Sequence, residues 1–174
     1  MAEDANTGLA GTILVIDDER NIRRTLRMVL EGEGATVLDA ETAEAGLKLI
    51  EQSLADSAAG RPAIEVVMAD VMLPGMSGLQ LLEKLSAMGE GAPPVPVILI
   101  SGHATVSDAV RATRLGAFDF FEKPLARDRV VVSVRNALRQ YASEAELRSL
   151  RARARRELIG ESKPMFELQR QITK

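Results

Sequence analysis

The chain has 174 residues, 46% hydrophobic but only 3% aromatic, so Leu, Val, Ile, Ala and Met must fill its core. It has no cysteine, which excludes disulfides and thiolate metal sites, and no apolar run nears the ~20 residues that a membrane-spanning helix needs. The net charge of −3 is uneven: residues 1–142 carry 14 Lys/Arg against 20 Asp/Glu, whereas residues 143–174 carry 8 against 5. The basic stretch Arg148 to Arg156 sits among glutamates and lacks aromatics, which favours a solvated helix face over a nucleic-acid surface.

Met1 to Gly11 is small and polar, with no basic start and no apolar run of a secretory signal; it is expected to be a disordered tail of a cytoplasmic protein. Thr12 to Ile16 then reads as a strand running into Asp17 and Asp18. Glu19 to Glu31 places Ile22, Leu26, Val29 and Leu30 on one helical face, and Gly32 and Gly34 stop it. Ala35 to Asp39 is a second strand, and Thr42 opens a helix carrying Ala43, Leu47 and Ile50. Ser53 to Pro62, rich in Ser, Ala and Asp, is expected to be a loop, long for such a connection.

Ile64 to Ala69 is a third strand, ending at Asp70. The turn Pro74 to Gly78 follows, with Ser77 as N-cap of a helix carrying Leu79, Leu82 and Leu85. Val95 to Ile100 runs into Ser101, Thr105 to Leu115 is a short helix closed by Gly116, and Phe118 to Glu122 runs into Lys123. From Ala126 the pattern is helical, with no Pro or Gly before Gly160. Five βα units in about 140 residues predict a doubly wound α/β domain with a five-stranded parallel sheet and helices on both faces.

Such a sheet gathers the carboxyl ends of its strands on one edge, where open α/β sheets bind ligands. Asp17, Asp18, Asp70, Ser101 and Lys123 would therefore converge in one acidic pocket holding a lysine. Mg2+ prefers octahedral oxygen ligands and is usually held by one or two carboxylates together with phosphate. Asp17, Asp18 and Asp70 supply carboxylates, and the turn after Asp70 supplies a backbone carbonyl, most simply that of Met72. Lys123 brings a compact ammonium that pairs with a carboxylate or a phosphoryl oxygen, and a carboxylate can attack phosphorus to give an acyl phosphate. Each residue alone has a bland reading, as a helix cap or turn residue; their ordered appearance at strand ends does not.

Val15-Ile16-Asp17-Asp18-Glu19, Asp70 through Gly78, Ser101-Gly102-His103-Ala104 and Lys123-Pro124-Leu125 together resemble the receiver domain of two-component response regulators. The resemblance covers about residues 12–140 and implies a (βα)5 flavodoxin-like domain over 12–141. It implies that Asp70 accepts a phosphoryl group from a sensor histidine kinase, with Mg2+ held by Asp17, Asp18, Asp70 and the Met72 carbonyl. Ser101 would reach a phosphoryl oxygen, Lys123 would pair with Asp70 or its phosphate, and Lys123–Pro124 would be a cis bond. Phe120 stands where receivers place a switching aromatic, often Tyr, and would act with Ser101. His103 and Met72 occupy positions that tune phosphoryl lifetime. A receiver is a signalling switch that catalyses only its own phosphorylation and dephosphorylation.

Glu157-Leu158-Ile159-Gly160-Glu161-Ser162-Lys163-Pro164-Met165, with Leu168 and Ile172, is similar to the opening of the AAA+ domain of sigma-54-type, nitrogen-regulator-C-like transcription activators. No Gly-x-x-x-x-Gly-Lys-Ser/Thr loop or helix-turn-helix is present, so this fragment would contact DNA and RNA polymerase only through absent domains. Residues 142–156 would be a helical linker. Val131, Val134, Leu138, Tyr141 and Ala145 follow the spacing of a coiled-coil seam, which predicts a homodimer through the C-terminal helix. Two alternatives stand beside this reading. One is a stand-alone phosphorelay receiver. The other is a Mg2+-dependent aspartyl-phosphate phosphatase, which would need a second acid where Met72 stands.

Overall fold

The computed structural model describes residues 8–58, 63–89, 91–103 and 105–161. Five strands, β1 (Thr12–Ile16), β2 (Thr36–Ala40), β3 (Val66–Asp70), β4 (Val97–Ser101) and β5 (Asp119–Glu122), alternate with five helices. The helices are α1 (Arg20–Gly32), α2 (Ala43–Ala58), α3 (Gly78–Met88), α4 (Val106–Arg114) and α5 (Arg127–Glu161). All strand pairs are parallel, in the order β2-β1-β3-β4-β5. The chain divides into two compact units at Tyr141/Ala142, and the sheet belongs to the first.

The central strands show why the order is stable. Every residue of β3 and β4 is buried, because helices cover both faces of these central parallel strands, and all but the terminal Asp70 and Ser101 are apolar. Alternate residues then serve opposite layers. Leu14, Ile16, Val67, Ala69, Val97 and Leu99 pack with Ile50 of α2 and Leu81, Leu82 and Leu85 of α3. Ile13, Val15, Val66, Met68, Ile98 and Ile100 pack with Leu26 and Leu30 of α1 and Val130, Val134, Ala137 and Leu138 of α5. β1 pairs with β2 on one side and β3 on the other, so the winding direction reverses beside β1. The crevice of an open α/β sheet lies at that reversal, outside the strand carboxyl ends.

Four sequence expectations change. Ser53 to Ala58 is not loop but the last turns of α2. Leu54, four residues after the buried Ile50, packs on the core, and the Ser53 hydroxyl accepts the Ile64 backbone N–H at 2.6 Å. Polar composition there is the solvent side of a helix. β3 begins at Val66 and β4 at Val97, two residues later than predicted, so Asp70 and Ser101 are the final strand residues. Leu9, expected in a disordered tail over 1–11, is buried against α1, with its N–H donating to the Glu33 carbonyl at 2.6 Å. Residues 1–7 of that expected tail lie outside the described residues.

The last change concerns α5. Val131, Val134 and Leu138 of the predicted seam are buried within the protein's own core, and Tyr141 packs partly against it. An apolar face that covers a sheet has the same spacing as one that meets a partner helix, and here the sheet takes it. Beyond Tyr141, Leu147 and Leu150 are exposed. Most of the segment similar to an AAA+ opening, residues 162–174, lies outside the described residues. Among the described residues no helix is long and apolar enough to cross a membrane.

Candidate functional site

The first turn beyond β1 brings Asp17 and Asp18 to the crevice, and β3 ends there at Asp70. One carboxylate oxygen from each of the three lies within 4.8 Å of the others. Asp17 and Asp70 are buried, whereas Asp18 is exposed. The Asp17 carboxylate accepts the Glu19 N–H at 2.8 Å, which shapes the turn into α1. Likewise the Asp70 carboxylate accepts the Met72 N–H at 2.8 Å, folding the β3–α3 loop back on the pocket.

Lys123 enters from the end of β5. Its Nζ stands 2.5 Å from Asp70 Oδ2, 3.2 Å from Asp17 Oδ2 and 3.1 Å from Glu19 Oε1. Burial works against its charge, but the hydrogen bonds it donates to Asp70, Glu19 and Asp17 outweigh that and hold the ammonium above the ordinary lysine range. Burial pushes the Asp17 carboxyl up, against the opposing pull of the Glu19 N–H and Lys123. The pocket is therefore charged and incompletely neutralised. Three oxygen donors within one ion's reach, with no nitrogen or sulfur among them, fit a hard divalent cation.

Ser101 ends β4 and is buried; its Oγ accepts the His103 N–H at 3.3 Å, and its carbonyl accepts the Lys123 N–H at 2.8 Å. In register Asp70 pairs with Ile100, so Ser101 lies one position beyond it on the neighbouring strand. Phe120 pairs with Leu99 and lies partly buried on the α2/α3 side of the sheet. His103 and Met72 are exposed, and Met72 reaches the pocket through its backbone bond to Asp70. Lys123–Pro124 is cis. The structure thus brings Asp17, Asp18, Asp70 and Lys123 into direct proximity, and sets Ser101 at the edge of the same crevice.

Two supports around the site were not anticipated from sequence. Gly78 begins α3 so close to β3 that a Cβ would overlap the Asp70 carbonyl oxygen, and its N–H donates to the Val71 carbonyl at 3.0 Å. Only a residue without a side chain lets α3 start there. Arg23 of α1 is buried and donates through Nη1 to the carbonyls of Asp17, at 2.7 Å, and Asp18, at 3.2 Å. Its presence was detectable in principle, since Arg23 precedes Leu26 and Leu30 by three and seven residues on the buried face. A charged residue in an apolar stripe marks a place where burial requires a partner.

Residues 13–135 match the family model of the response regulator receiver domain. Over 170 residues the chain is 38% identical to the C4-dicarboxylate transport transcriptional regulatory protein DctD of Rhizobium meliloti, covering 95% of this chain and 34% of that protein. It is 31% identical over 163 residues to the DNA-binding transcriptional regulator NtrC of Escherichia coli, covering 93% of this chain and 32% of that one. The solution structure of a beryllofluoride-activated NtrC4 receiver domain dimer superposes with a TM-score of 0.64 at 29% identity, over 75% of this chain and 98% of that one. The chain spans about a third of the length of the curated relatives it matches.

Proposed function

This chain belongs to the receiver-domain family of response regulators, and from that premise we propose that Asp70 accepts a phosphoryl group from a sensor histidine kinase in a Mg2+-dependent reaction. The observation that carries the reading is the Lys123 ammonium lying between Asp70 and Asp17, beside three carboxylate oxygens within one cation's reach.

Asp17, Asp18, Asp70 and the Met72 carbonyl would hold Mg2+, which when bound neutralises charge developing on the transferred phosphoryl oxygens. An Asp70 carboxylate oxygen forms the new O–P bond as the donor's bond to phosphorus breaks, and the donor nitrogen leaves with the electron pair. Lys123 is held charged, so it exchanges a carboxylate partner for a phosphoryl oxygen without moving a proton. Ser101 would turn its hydroxyl toward that phosphoryl group, a role supported by its position one residue beyond the Asp70 register. Phe120 lies one strand away from the phosphoacceptor, and as an aromatic switch it would follow Ser101 through packing alone, because it lacks a hydroxyl. His103 and Met72, exposed at the pocket mouth, set how readily water reaches the phosphoryl group.

The output we propose is control of the oligomeric state of a sigma-54-type AAA+ activator, by analogy with DctD and NtrC. On this reading residues 12–141 are the receiver, 142–156 a linker, and 157–174 the start of the output domain, in a cytoplasmic protein that pairs through its C-terminal helix. The test is intact-mass measurement after incubation with acetyl phosphate, with and without Mg2+. The wild type should gain one phosphoryl group only with Mg2+, and Asp70→Asn should gain none; equal labelling of the variant would refute the assignment.

A further inference from the structure

We propose that Arg23 is a positioning residue for the cation site: its guanidinium fixes the Asp17–Asp18 turn so that both carboxylates are presented to Mg2+ before the ion arrives. The inference rests on the reading of the acidic pocket given above. Arg23 is only 6% exposed and touches none of the metal-ligating oxygens. Instead Nη1 binds two consecutive carbonyls, of Asp17 and Asp18. Successive carbonyls of an extended chain point to opposite sides, so one donor can hold both only where the backbone turns. The bonds therefore favour the turned backbone that carries the two carboxylates to the pocket.

The rest of the fork is held as firmly. Nε stands 3.3 Å from Asp39 Oδ2, and Nη2 stands 2.6 Å from Glu41 Oε1. Asp39 and Glu41 flank the end of β2, so one planar group ties the β1–α1 turn to the neighbouring strand. Lysine cannot substitute for this, because a single ammonium lacks the fixed fork that reaches the carbonyls on one edge and the carboxylates on the other. Groups that orient metal ligands typically change metal affinity by about 10–100-fold when removed.

A purely structural role predicts a different outcome, and calorimetric titration with Mg2+ separates the two. Arg23→Lys and Arg23→Gln should remain folded but bind Mg2+ about ten-fold more weakly. The Mg2+ concentration for half-maximal phosphorylation by acetyl phosphate should rise in parallel, while the rate at saturating Mg2+ changes less. Should both variants unfold, Glu41→Gln at an exposed position decides, with an expected weakening of about three-fold by loss of one arm of the fork. Folded variants whose Mg2+ affinity stays within two-fold of wild type overturn the Arg23 proposal alone. A wild-type protein that binds no Mg2+ refutes the pocket reading itself.

Discussion

Lys123 is shared among the carboxylates of Asp17, Glu19 and Asp70, and one ammonium leaves the cluster of Asp17, Asp18 and Asp70 with an excess of negative charge. Such a site is built for a ligand at the expense of the ligand-free fold. Asp17 gives the consequence for pH. Its folded-state pKa is raised, chiefly by burial, so its contribution to stability is fully present below the ordinary carboxylate value and is lost as pH rises through the folded value. At pH 7 the ionised group therefore costs stability. Asp17→Asn should raise the urea midpoint of the metal-free protein at pH 7, with the gain shrinking toward pH 4, and should remove the stabilisation that Mg2+ gives the wild type. A lower midpoint at pH 7 would mean that the lost pairing with Lys123 dominates. At this scale Asp17, Asp18, Asp70 and Lys123 were legible because strand ends are visible as the ends of apolar runs. Arg23 was harder to read, because apolar periodicity records only apolar residues, and two of its partners are backbone carbonyls that no sequence displays.

The elements around the site show how the loops are held. The Ser77 Oγ accepts the Gln80 N–H at 3.2 Å, and the Gln80 side chain accepts the Ser77 N–H at 2.9 Å, a reciprocal cap that fixes the start of α3. Just before it, the Met76 N–H donates to Glu44 of α2 at 2.9 Å; Glu44's own backbone N–H, and after it that of Met76, hold the Glu44 carboxyl below its ordinary value. The β3–α3 loop is thus fastened at Asp70, Met76 and Ser77. Ser77→Ala should cost about 1 kcal/mol in denaturant unfolding, the usual value of an N-cap. It should leave Mg2+ affinity nearly unchanged, because Asp70 is anchored separately within β3. The cap was readable from Ser77 beside Gly78, but the tail of α2 was not. Ser53, Asp56 and Ser57 look like loop composition until Leu54 is seen to pack inward. Local polarity names the solvent side, and only tertiary contact decides whether the backbone behind it is helical.

At the scale of the molecule, α5 is both a wall of the core and the way out of the domain. Val130, Val131, Val134 and Leu138 are all buried, and at about 1.5–3 kcal/mol each they contribute on the order of 6–12 kcal/mol before entropy is subtracted. That is comparable with the entire net stability of a typical domain, about 5–15 kcal/mol. A chain ending at Ala126 should therefore be unfolded by circular dichroism, whereas one ending at Tyr141 should fold as a monomer. Pairing through this helix would then come from residues after Tyr141, where Leu147 and Leu150 are exposed. Light scattering should find residues 1–174 dimeric and residues 1–141 monomeric; a monomeric full chain at high concentration would exclude pairing through this helix. The doubly wound topology was legible because five βα repeats admit few alternatives. The seam was only partly legible, since Val131, Val134 and Leu138 carry one spacing that serves either a sheet or a partner helix, and here they serve the sheet.

The central claim, a phosphoryl group on Asp70, is tested most directly by trapping the bond itself. The protein is incubated with acetyl phosphate and Mg2+, then reduced with borohydride, which converts an acyl phosphate to an alcohol and so turns a phosphorylated aspartate into homoserine. Peptide mass spectrometry should place homoserine at position 70, dependent on Mg2+, with Asp17 and Asp18 unmodified. Homoserine at position 17 or 18, or none anywhere in a folded protein that binds Mg2+, would contradict the account.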